Sequence, residues 1–386
     1  MTRASEAERS RLGETFAALC RIDSPSGRER PCADWVASEL GAMGLEVHED
    51  DTRDQTGSDA GNLLARLPGL GGQSVLVCAH LDTVPAVAPL EPVVVSGGWE
   101  NANEAILGAD NKAAVAVALE LTRRLVRQPD RPDVGLELLF TTCEEVGLQG
   151  AKAFDAGQLR SQFGFVFDHA SPIGEIVLAS PTYYRIVADI SGRAAHAGIR
   201  PENGRSAIMA AARAIAAMPL GRLDPETTAN VGTIDGGTNT NVVPEHCRVA
   251  AEARSLAGGR AEELATELID HLQEAADASE CDLDVSVERM FDGYRTKQRE
   301  STVVLAERAL QACGYEPRPI VTGGGSDANA LISSGFPALN LANGTERNHE
   351  PTERVSVDAL EGMLEVAIAL LEQAPAVLAE ADAASR

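Results

Sequence analysis

Near-continuous apolar segments, separated by helical patterns, constrain the fold of this chain more than any other feature of its sequence. Four of them are QSVLVCAHLD (73–82), VGLELLFTTC (134–143), FGFVFD (163–168) and PALNLAN (337–343). A strand with one face in water would alternate apolar and polar residues, whereas these segments suit strands buried on both faces. An Ala- and Val-rich helical pattern follows Asp110 and runs through Arg127. This alternation predicts an α/β fold with a mostly parallel sheet and helices on both faces.

The pattern changes between residues 181 and 294. YYRIVADISG (183–192) alternates apolar and polar residues, as a strand with one wet face does. The segments that follow give the β-α-β-β-α-β order of a ferredoxin-like fold, with helices at 206–218 and 260–275 and strands near 228–234, 246–253 and 282–290. We therefore predict an α+β ferredoxin-like domain at 181–294, inserted into a catalytic domain made of 1–180 and 295–386.

Charge and cysteine content exclude several classes of protein. The formal net charge is −25, which repels phosphate backbones, so nucleic-acid binding is not expected. Seven cysteines without a CxxC motif argue against a disulfide framework or a zinc knuckle. The first twenty residues lack the apolar core of a signal peptide, and no run of about 18 apolar residues occurs. We therefore predict a cytoplasmic protein without a membrane span.

Two histidines and three carboxylates are candidate metal ligands. His80, Glu145 and Asp168 follow predicted strands, Asp110 precedes a helix, and His349 lies in a loop after the last strand. Ligands gather beyond the carboxyl ends of strands in open α/β sheets, so these residues can converge. Such donors suit two Zn²⁺ ions bridged by one carboxylate, and Co²⁺ or Mn²⁺ would suit them too. Taken singly, each residue also fits an ordinary role, such as a helix N-cap for Asp110.

Two further acids suggest chemistry beside the ligands. Asp82 lies two residues after His80, where a carboxylate can fix the tautomer and orientation of a metal-binding imidazole. Glu144 precedes Glu145, and in an enclosed site its pKa could rise into the range of a general base for the attacking water. The alternative for the Glu pair is two solvated acids in the first turn of a helix.

The segments that carry these residues resemble the metallopeptidase family that includes peptidase T, aminoacylase, carboxypeptidase G and succinyl-diaminopimelate desuccinylase. The matching stretches include VLVCAHLDTVP, LGADNKAAVAVALE, TTCEEVGLQGAK, AAHAGIRPENGRSAI, TNTNVVPEHCRVAAEARS and GGGSDANAL. The resemblance implies a catalytic domain with an inserted lid or dimerisation domain. It also implies that His80, Asp110 and Asp168 hold one zinc, and that Asp110 bridges to a second zinc held by Glu145 and His349.

The resemblance implies roles for further residues. Glu144 matches the general base, and His196 matches a residue that polarises the scissile carbonyl, commonly from the partner subunit, which implies a homodimer. Arg254 and Asn241 match residues that hold the carboxylate or backbone of the substrate. Without the resemblance, His196 would be a hydrogen-bonded turn residue and Arg254 part of a surface ion pair. Many relatives have an acidic residue where this chain has Cys143.

Two segments, 227–244 and 323–341, are most similar to peptidase T-like members of the family. The predicted function is therefore that of a di-zinc exopeptidase acting on short peptides, a tripeptide aminopeptidase. One alternative is a metal-dependent amidase, deacylase or carboxypeptidase acting on N-acyl amino acids, and another is a metal-binding protein without turnover. The sequence has no G-x-S-x-G elbow of a serine hydrolase, and no GK[ST] follows the glycines at 323–325, which excludes a P-loop.

Overall fold

The computed structural model describes residues 3–128 and 132–384. The helices of the described residues are α1 (Glu6–Cys20), α2 (Arg30–Ala42), α3 (Arg53–Thr56), α4 (Ala109–Arg127), α5 (Gln149–Ala153), α6 (Ala207–Ala217), α7 (Gly258–Ala278), α8 (Ser301–Cys313), α9 (Asp327–Ser333) and α10 (Val357–Ala384). The strands are β1 (Val47–Glu49), β2 (Leu63–Leu67), β3 (Ser74–His80), β4 (Pro92–Val95), β5 (Gly98–Asn101), β6 (Gly135–Thr141), β7 (Phe163–His169), β8 (Glu175–Ser180), β9 (Thr182–Ser191), β10 (Gly221–Asp224), β11 (Thr227–Gly236), β12 (His246–Ser255), β13 (Asp282–Phe291), β14 (Tyr294–Arg295), β15 (Arg318–Val321), β16 (Ala338–Ala342), β17 (Thr345–Glu346) and β18 (Arg354–Ser356).

The chain forms two compact units. Unit 1 consists of Met1–Leu178, Arg295–Val321 and Ser326–Arg386, and unit 2 consists of Ala179–Tyr294 and Thr322–Gly325. The short segment 322–325 holds the glycines of the Gly-rich loop. Unit 2 is therefore built from two separate stretches of sequence.

A nine-stranded sheet forms the centre of unit 1. Its order is β1-β2-β6-β3-β7-β16-β8-β14, with β15 paired to β8. The four central strands, β6, β3, β7 and β16, are parallel, whereas β2 and β8 join them antiparallel. All seven residues of β6 are buried, which explains why its sequence is apolar apart from Glu137 and Thr141. The mostly parallel α/β fold predicted from the sequence is confirmed.

Helices cover both faces of this sheet. Val75, Val77 and Ala79 of β3 join the main hydrophobic core together with the buried side chains of α4. Cys78 points to the opposite face, where its Sγ lies 3.9 Å from a carboxylate oxygen of Asp327 in α9. Because successive side chains of a strand alternate between faces, the sheet is a middle layer between α4 and α9.

A smaller sheet in unit 1 was not predicted. It has the order β17-β18-β5-β4, and all its strands are two to four residues long. Trp99 of β5 packs edge-on against Phe16 of α1, with ring centroids 5.6 Å apart. The connection between β17 and β18 contains His349. The smaller sheet therefore positions His349, a candidate ligand that no strand of the central sheet carries.

Helix α10 is long and apolar enough over Val357–Ala381 to span a membrane, judged by length and composition alone. In its most apolar stretch, 67% of the residues are buried within the protein. Leu360, Met363, Leu364 and Ile368 belong to the main hydrophobic core. A core helix of a folded protein passes the same test of length and hydropathy, and the packing of α10 is of that kind.

Unit 2 contains a five-stranded antiparallel sheet with the order β10-β11-β12-β9-β13. Leaving out the short edge strand β10, the chain order β9-α6-β11-β12-α7-β13 is that of a ferredoxin-like fold. Ile186, Ala188 and Ile190 of β9 face the core that α6 and α7 cover. This alternation is why β9 differs in pattern from the strands of unit 1.

Candidate metal centre

The five candidate ligands come from separate segments of unit 1 and converge. His80 ends β3, and Asp168 lies at the end of the neighbouring strand β7. Glu145 follows β6, which pairs with β3 on its other side. Asp110 lies in the first turn of α4, and His349 lies between β17 and β18. Parallel strands end at one edge of the sheet, and that edge brings the first three together.

One group of donors forms around His80. Its Nε2 atom lies 3.4 Å from a carboxylate oxygen of Asp110 and 3.4 Å from one of Asp168. One donor atom from each of these three residues lies within 4.8 Å of the others, close enough for a single ion. His80 is buried, with 1% of its side chain exposed.

A second group forms around His349. Its Nε2 atom lies 3.4 Å from Asp110 and 3.0 Å from Glu145. Donor atoms of these three residues also lie within 4.8 Å of one another. Asp110 belongs to both groups, since Oδ1 faces His80 and Oδ2 faces His349. These two donor groups are joined by one carboxylate, and donor atoms of His80, Glu144 and Glu145 form a third group within 4.8 Å of one another.

The donor set fits a pair of divalent cations. Asp110 Oδ1 is buried and accepts no hydrogen bond. Burial raises the pKa values of Glu144 and Asp168 well above their ordinary values, and the Asp168 charge adds to the shift of Glu144. Contacts with Asp110 and Glu145 raise the pKa of His349 to about 10. Burial and crowding disfavour the charged forms of these carboxylates, and cations with nitrogen and oxygen ligands would stabilise those forms.

Asp82 contacts both His80 and the turn after β6. The Nδ1 atom of His80 lies 2.9 Å from the backbone carbonyl of Asp82 and 3.4 Å from its carboxylate. The two carboxylate oxygens accept the backbone N–H groups of Glu144 and Glu145 at 3.0 and 3.1 Å. The side chain of Asp82 therefore fixes the turn that carries these glutamates, and its carbonyl is the nearest partner of the imidazole.

Glu29, which was not predicted as a site residue, is part of this support. Glu29 is fully buried and accepts the backbone N–H of Cys143 at 3.0 Å and that of Gly27 at 2.9 Å. Cys143 has a left-handed φ of 54°, and its thiol also contacts Glu29. Ser26 donates to Asp82 at 2.7 Å. The only signal in the sequence was the segment SPSGRE (24–29), which ends with Glu29. By itself this segment indicates no more than the end of one helix and the start of another.

Two asparagines next to candidate ligands were also missed. Asn111 donates its side-chain amide to Asp168 at 3.0 Å, and Asn348 donates to Asp110 at 2.8 Å. Each amide holds one oxygen of a candidate ligand and limits its rotation. Asn111 follows Asp110 and Asn348 precedes His349, so adjacency to a ligand was a signal that could have found them.

Unit 2 brings His196 and Asn241 together. The backbone N–H of Ala197 donates to the carbonyl of Asn241 at 2.9 Å, and Val243 donates to Ala195 at 2.9 Å. His196 is exposed, and its Nδ1 accepts the N–H of Gly198 at 3.2 Å. The turn that carries His196 is thus fixed by backbone contacts, while its ring remains accessible.

Arg254 lies at the end of β12 in unit 2 and has three partners. Its guanidinium forms an ion pair with Glu252 at 3.1 Å and lies over the ring of Tyr183, 4.0 Å from the centroid. It also donates to the carbonyl of Gly323 at 3.0 Å. In the same loop, a Cβ atom at Gly325 would lie 2.5 Å from the ring of Phe291, so only glycine fits there. The Gly-rich loop and β12 therefore form one packed cluster.

Comparison with protein families finds two matching models. Residues 182–280 match the peptidase dimerisation domain of the M20 family, and residues 62–181 match peptidase family M28. The first match covers most of unit 2, and the second covers His80, Asp110, Glu145 and Asp168.

Three proteins illustrate the similarity over the whole chain. The uncharacterised protein YqjE of Bacillus subtilis is 36% identical, over 94% of this chain and 98% of its own length. The crystal structure of aminopeptidase PepT from Bacillus cereus is 37% identical with a TM-score of 0.83, covering 95% of this chain and 98% of that one. A tripeptidase from Staphylococcus aureus is 32% identical with a TM-score of 0.87, covering 95% and 99%.

Proposed function

The chain belongs to the peptidase T-like group of the M20 metallopeptidases, and from that premise we propose that it is a two-metal exopeptidase that removes the amino-terminal residue of tripeptides. The observation that carries the proposal is the position of Asp110. Its two oxygens each lie 3.4 Å from a different imidazole, His80 on one side and His349 on the other. A carboxylate shared in this way suits two ions that act together on one peptide bond.

We propose that His80, Asp110 and Asp168 would hold one Zn²⁺ ion and Asp110, Glu145 and His349 the other, with Co²⁺ or Mn²⁺ as substitutes. Bound cations of this kind polarise a peptide carbonyl and lower the pKa of water. Asn111 and Asn348 would keep the carboxylates of Asp168 and Asp110 oriented through the amide contacts described above.

In this proposal Glu144 moves the proton. Its carboxylate lies within 4.0 Å of His80, beside the donor groups, and burial raises its pKa. A carboxylate with such a pKa can take a proton from the attacking water and pass it to the leaving amine. The contacts of Asp82 with the backbone of Glu144 and Glu145 would hold both side chains in their different directions.

Unit 2 would supply contacts to the peptide and to a second subunit. The match of 182–280 to a peptidase dimerisation domain supports a homodimer formed through this unit. We propose that His196 polarises the scissile carbonyl, and that Arg254 and Asn241 bind the carboxylate or backbone of the substrate. The partners of Arg254 leave 24% of its side chain exposed, so a substrate carboxylate can still reach it.

A cytoplasmic location is part of the proposal. All seven cysteines are free, and six of them are buried. Thiols kept in this state suit a reducing compartment, where disulfides are rare.

Digestion of defined peptides tests the proposed activity. The purified protein, with its metal content measured, would be incubated with a free tripeptide, an N-acetylated tripeptide and an N-acetyl amino acid, and mass spectrometry would identify the products. We expect two metal ions per chain and release of the first residue from the free tripeptide only. Release of the last residue would indicate a carboxypeptidase, and cleavage of the N-acetyl amino acid would indicate a deacylase; either result contradicts the proposal.

The Glu144→Gln variant tests the proton-transfer role. Because Gln cannot accept the proton, we expect kcat to fall by about 10²–10⁴-fold, while two metal ions remain bound. The exposed Glu91→Gln is the matched control and should keep wild-type activity. A Glu144→Gln protein with kcat near that of the wild type would rule out Glu144 as the base.

A further inference from the structure

Glu353 is a buried carboxylate with no part in the proposed function. It is 2% exposed and lies four residues after His349. One of its oxygens accepts the backbone N–H groups of Leu107 and Gly108, both at 2.8 Å. The other oxygen accepts the N–H of Asp110 at 3.0 Å. A single side chain thus joins the segment before β18 to the first turn of α4.

The geometry of residues 107–110 makes these three contacts possible. Gly108 has a left-handed φ of 76°, which turns consecutive N–H groups toward one point. Hydrogen bonds from N–H groups to a carboxylate are about twice as strong as those between neutral groups. Three of them on one buried carboxylate hold the backbone of Asp110 in place, and they fix its distance from the segment that carries His349.

The two donor groups depend on this contact to different extents. In the group of Asp110, Glu145 and His349, two of the three ligands lie on the segments that Glu353 joins. In the other group, His80 and Asp168 lie at the ends of the paired strands β3 and β7, which the sheet holds without Glu353. Only the shared Asp110 connects Glu353 to that group.

We propose that Glu353 is a positioning residue that sets the cation affinity of the Asp110–Glu145–His349 group, and that it affects the His80–Asp110–Asp168 group far less. The inference rests on the two-ion site of the proposed function. It assigns to Glu353 a selective effect on one ion, which a purely structural role would not produce.

The isosteric Glu353→Gln variant tests the inference. The amide oxygen can still accept from Leu107 and Gly108, but the amide nitrogen then faces the N–H of Asp110, donor against donor. Chelator-treated protein would be titrated with Zn²⁺ against a fluorescent chelator, which resolves two dissociation constants. We expect the weaker-held ion of the variant to lose about 10–100-fold in affinity, the usual effect of losing a residue that supports a ligand, while the other constant changes little.

Glu137→Gln is the matched control. Glu137 is also 2% exposed and accepts two backbone N–H groups, from Arg160 at 2.8 Å and Ser161 at 2.6 Å. These contacts lie near the amino-terminal ends of β6 and β7, at the edge of the sheet opposite the candidate ligands. This variant should retain both wild-type constants. Circular dichroism of each metal-free variant would show that the fold is present before the titration.

The outcomes separate the inference from the function on which it rests. If the wild type binds two ions and Glu353→Gln binds both with unchanged constants, or loses both equally, the inference is overturned and the proposed function stands. If the wild type binds fewer than two ions, the proposed function fails and the inference fails with it.

Should Glu353→Gln not fold, Glu353→Asp takes its place. The carboxylate is kept but is one methylene too short to reach all three N–H groups, and selective loss of one ion is again expected. Unchanged constants in that variant would also overturn the inference.

Discussion

Single buried carboxylates that accept backbone N–H groups organise the candidate metal centre. Asp82 holds Glu144 and Glu145, Glu29 holds Cys143, and Glu353 holds Asp110. Burial of a charged group is costly unless hydrogen bonds replace water, and backbone donors do so without adding another charge. Asp110, Glu145 and the proposed base Glu144 are therefore held by their backbones, through contacts that do not occupy their side chains.

The pKa of His349 leads to a prediction for the metal-free protein. Its folded value is about 10 against an ordinary 6.5, because Asp110 and Glu145 stabilise the protonated ring. A raised pKa contributes stability that is complete below 6.5 and is lost as the pH rises toward 10. The melting temperature of chelator-treated protein should therefore fall across this range. Bound metal replaces the proton and should make the decrease smaller.

Thermal unfolding followed by circular dichroism at several pH values between 6.5 and 10 would check this expectation. His349→Asn is the comparison variant, since it lacks the titrating ring and should show a shallower decrease. A metal-free wild type whose melting temperature stays constant or rises over the same pH range would contradict the prediction.

Residues that bind through side chains in recognisable segments could be predicted from the sequence, and those that act through distant backbone contacts could not. His80 and Asp110 lie in segments with a clear family pattern, and the structure brings them within 3.4 Å of each other. Glu353 contacts backbone about 245 residues away, and nothing in its local sequence indicates the partner. Glu29 resembles an ordinary acid at the start of a helix. The roles of all these residues stay predictions.

At the scale of elements, α5 supports the turn that carries Glu144. Gly150 donates its N–H to the carbonyl of Thr142 at 3.0 Å, and its own carbonyl accepts from Asn62 at 3.0 Å. A Cβ atom at this position would lie 2.2 Å from the Thr142 oxygen and 2.6 Å from the Asn62 oxygen. The helix can approach the turn this closely only because residue 150 is glycine.

The Gly150→Ala variant should therefore be destabilised, by about 1–3 kcal/mol, the usual cost of overpacking. Activity should fall as well, because the displaced turn carries the proposed base. Urea unfolding and kcat on a tripeptide measure the two effects. Gly41→Ala in α2 is the control, since nothing lies within 4 Å of the added methyl group, and it should be neutral or stabilising by up to about 1 kcal/mol. Equal unfolding midpoints for the two variants would contradict the packing explanation.

Burial decided which elements could be predicted. Strand β6 is buried at every position, and five of its seven residues are apolar. Strands β4 and β5 are four residues long and partly exposed, too short for a periodic pattern to mark them as strands. Pairing of β5 with β18 joins Trp99 to Val355, a register that no local pattern specifies. Long buried elements were therefore found, and short strands paired over a distance were not.

At the scale of the whole molecule, the main expectation is a homodimer. The match of 182–280 to a peptidase dimerisation domain supports it. Sedimentation equilibrium of the full chain should give about twice the monomer mass of 40.5 kDa. The mass should be the same with and without metal, because the donor groups all lie in unit 1. A monomer at micromolar concentration would contradict the dimer and remove the support for a His196 supplied by the partner.

The assignment of residues 322–325 to unit 2 limits how this protein can be recombined with its relatives. The loop accepts hydrogen bonds from Arg254 and Ser180, and Gly325 packs against Phe291. In a chimaera that exchanged only Ala179–Tyr294, the loop would contact side chains of the other protein instead of those it packs against here. Residues 179–294 and 322–325 therefore have to come from the same parent protein. Recombination between relatives that separates the two stretches should disrupt the packing of unit 2.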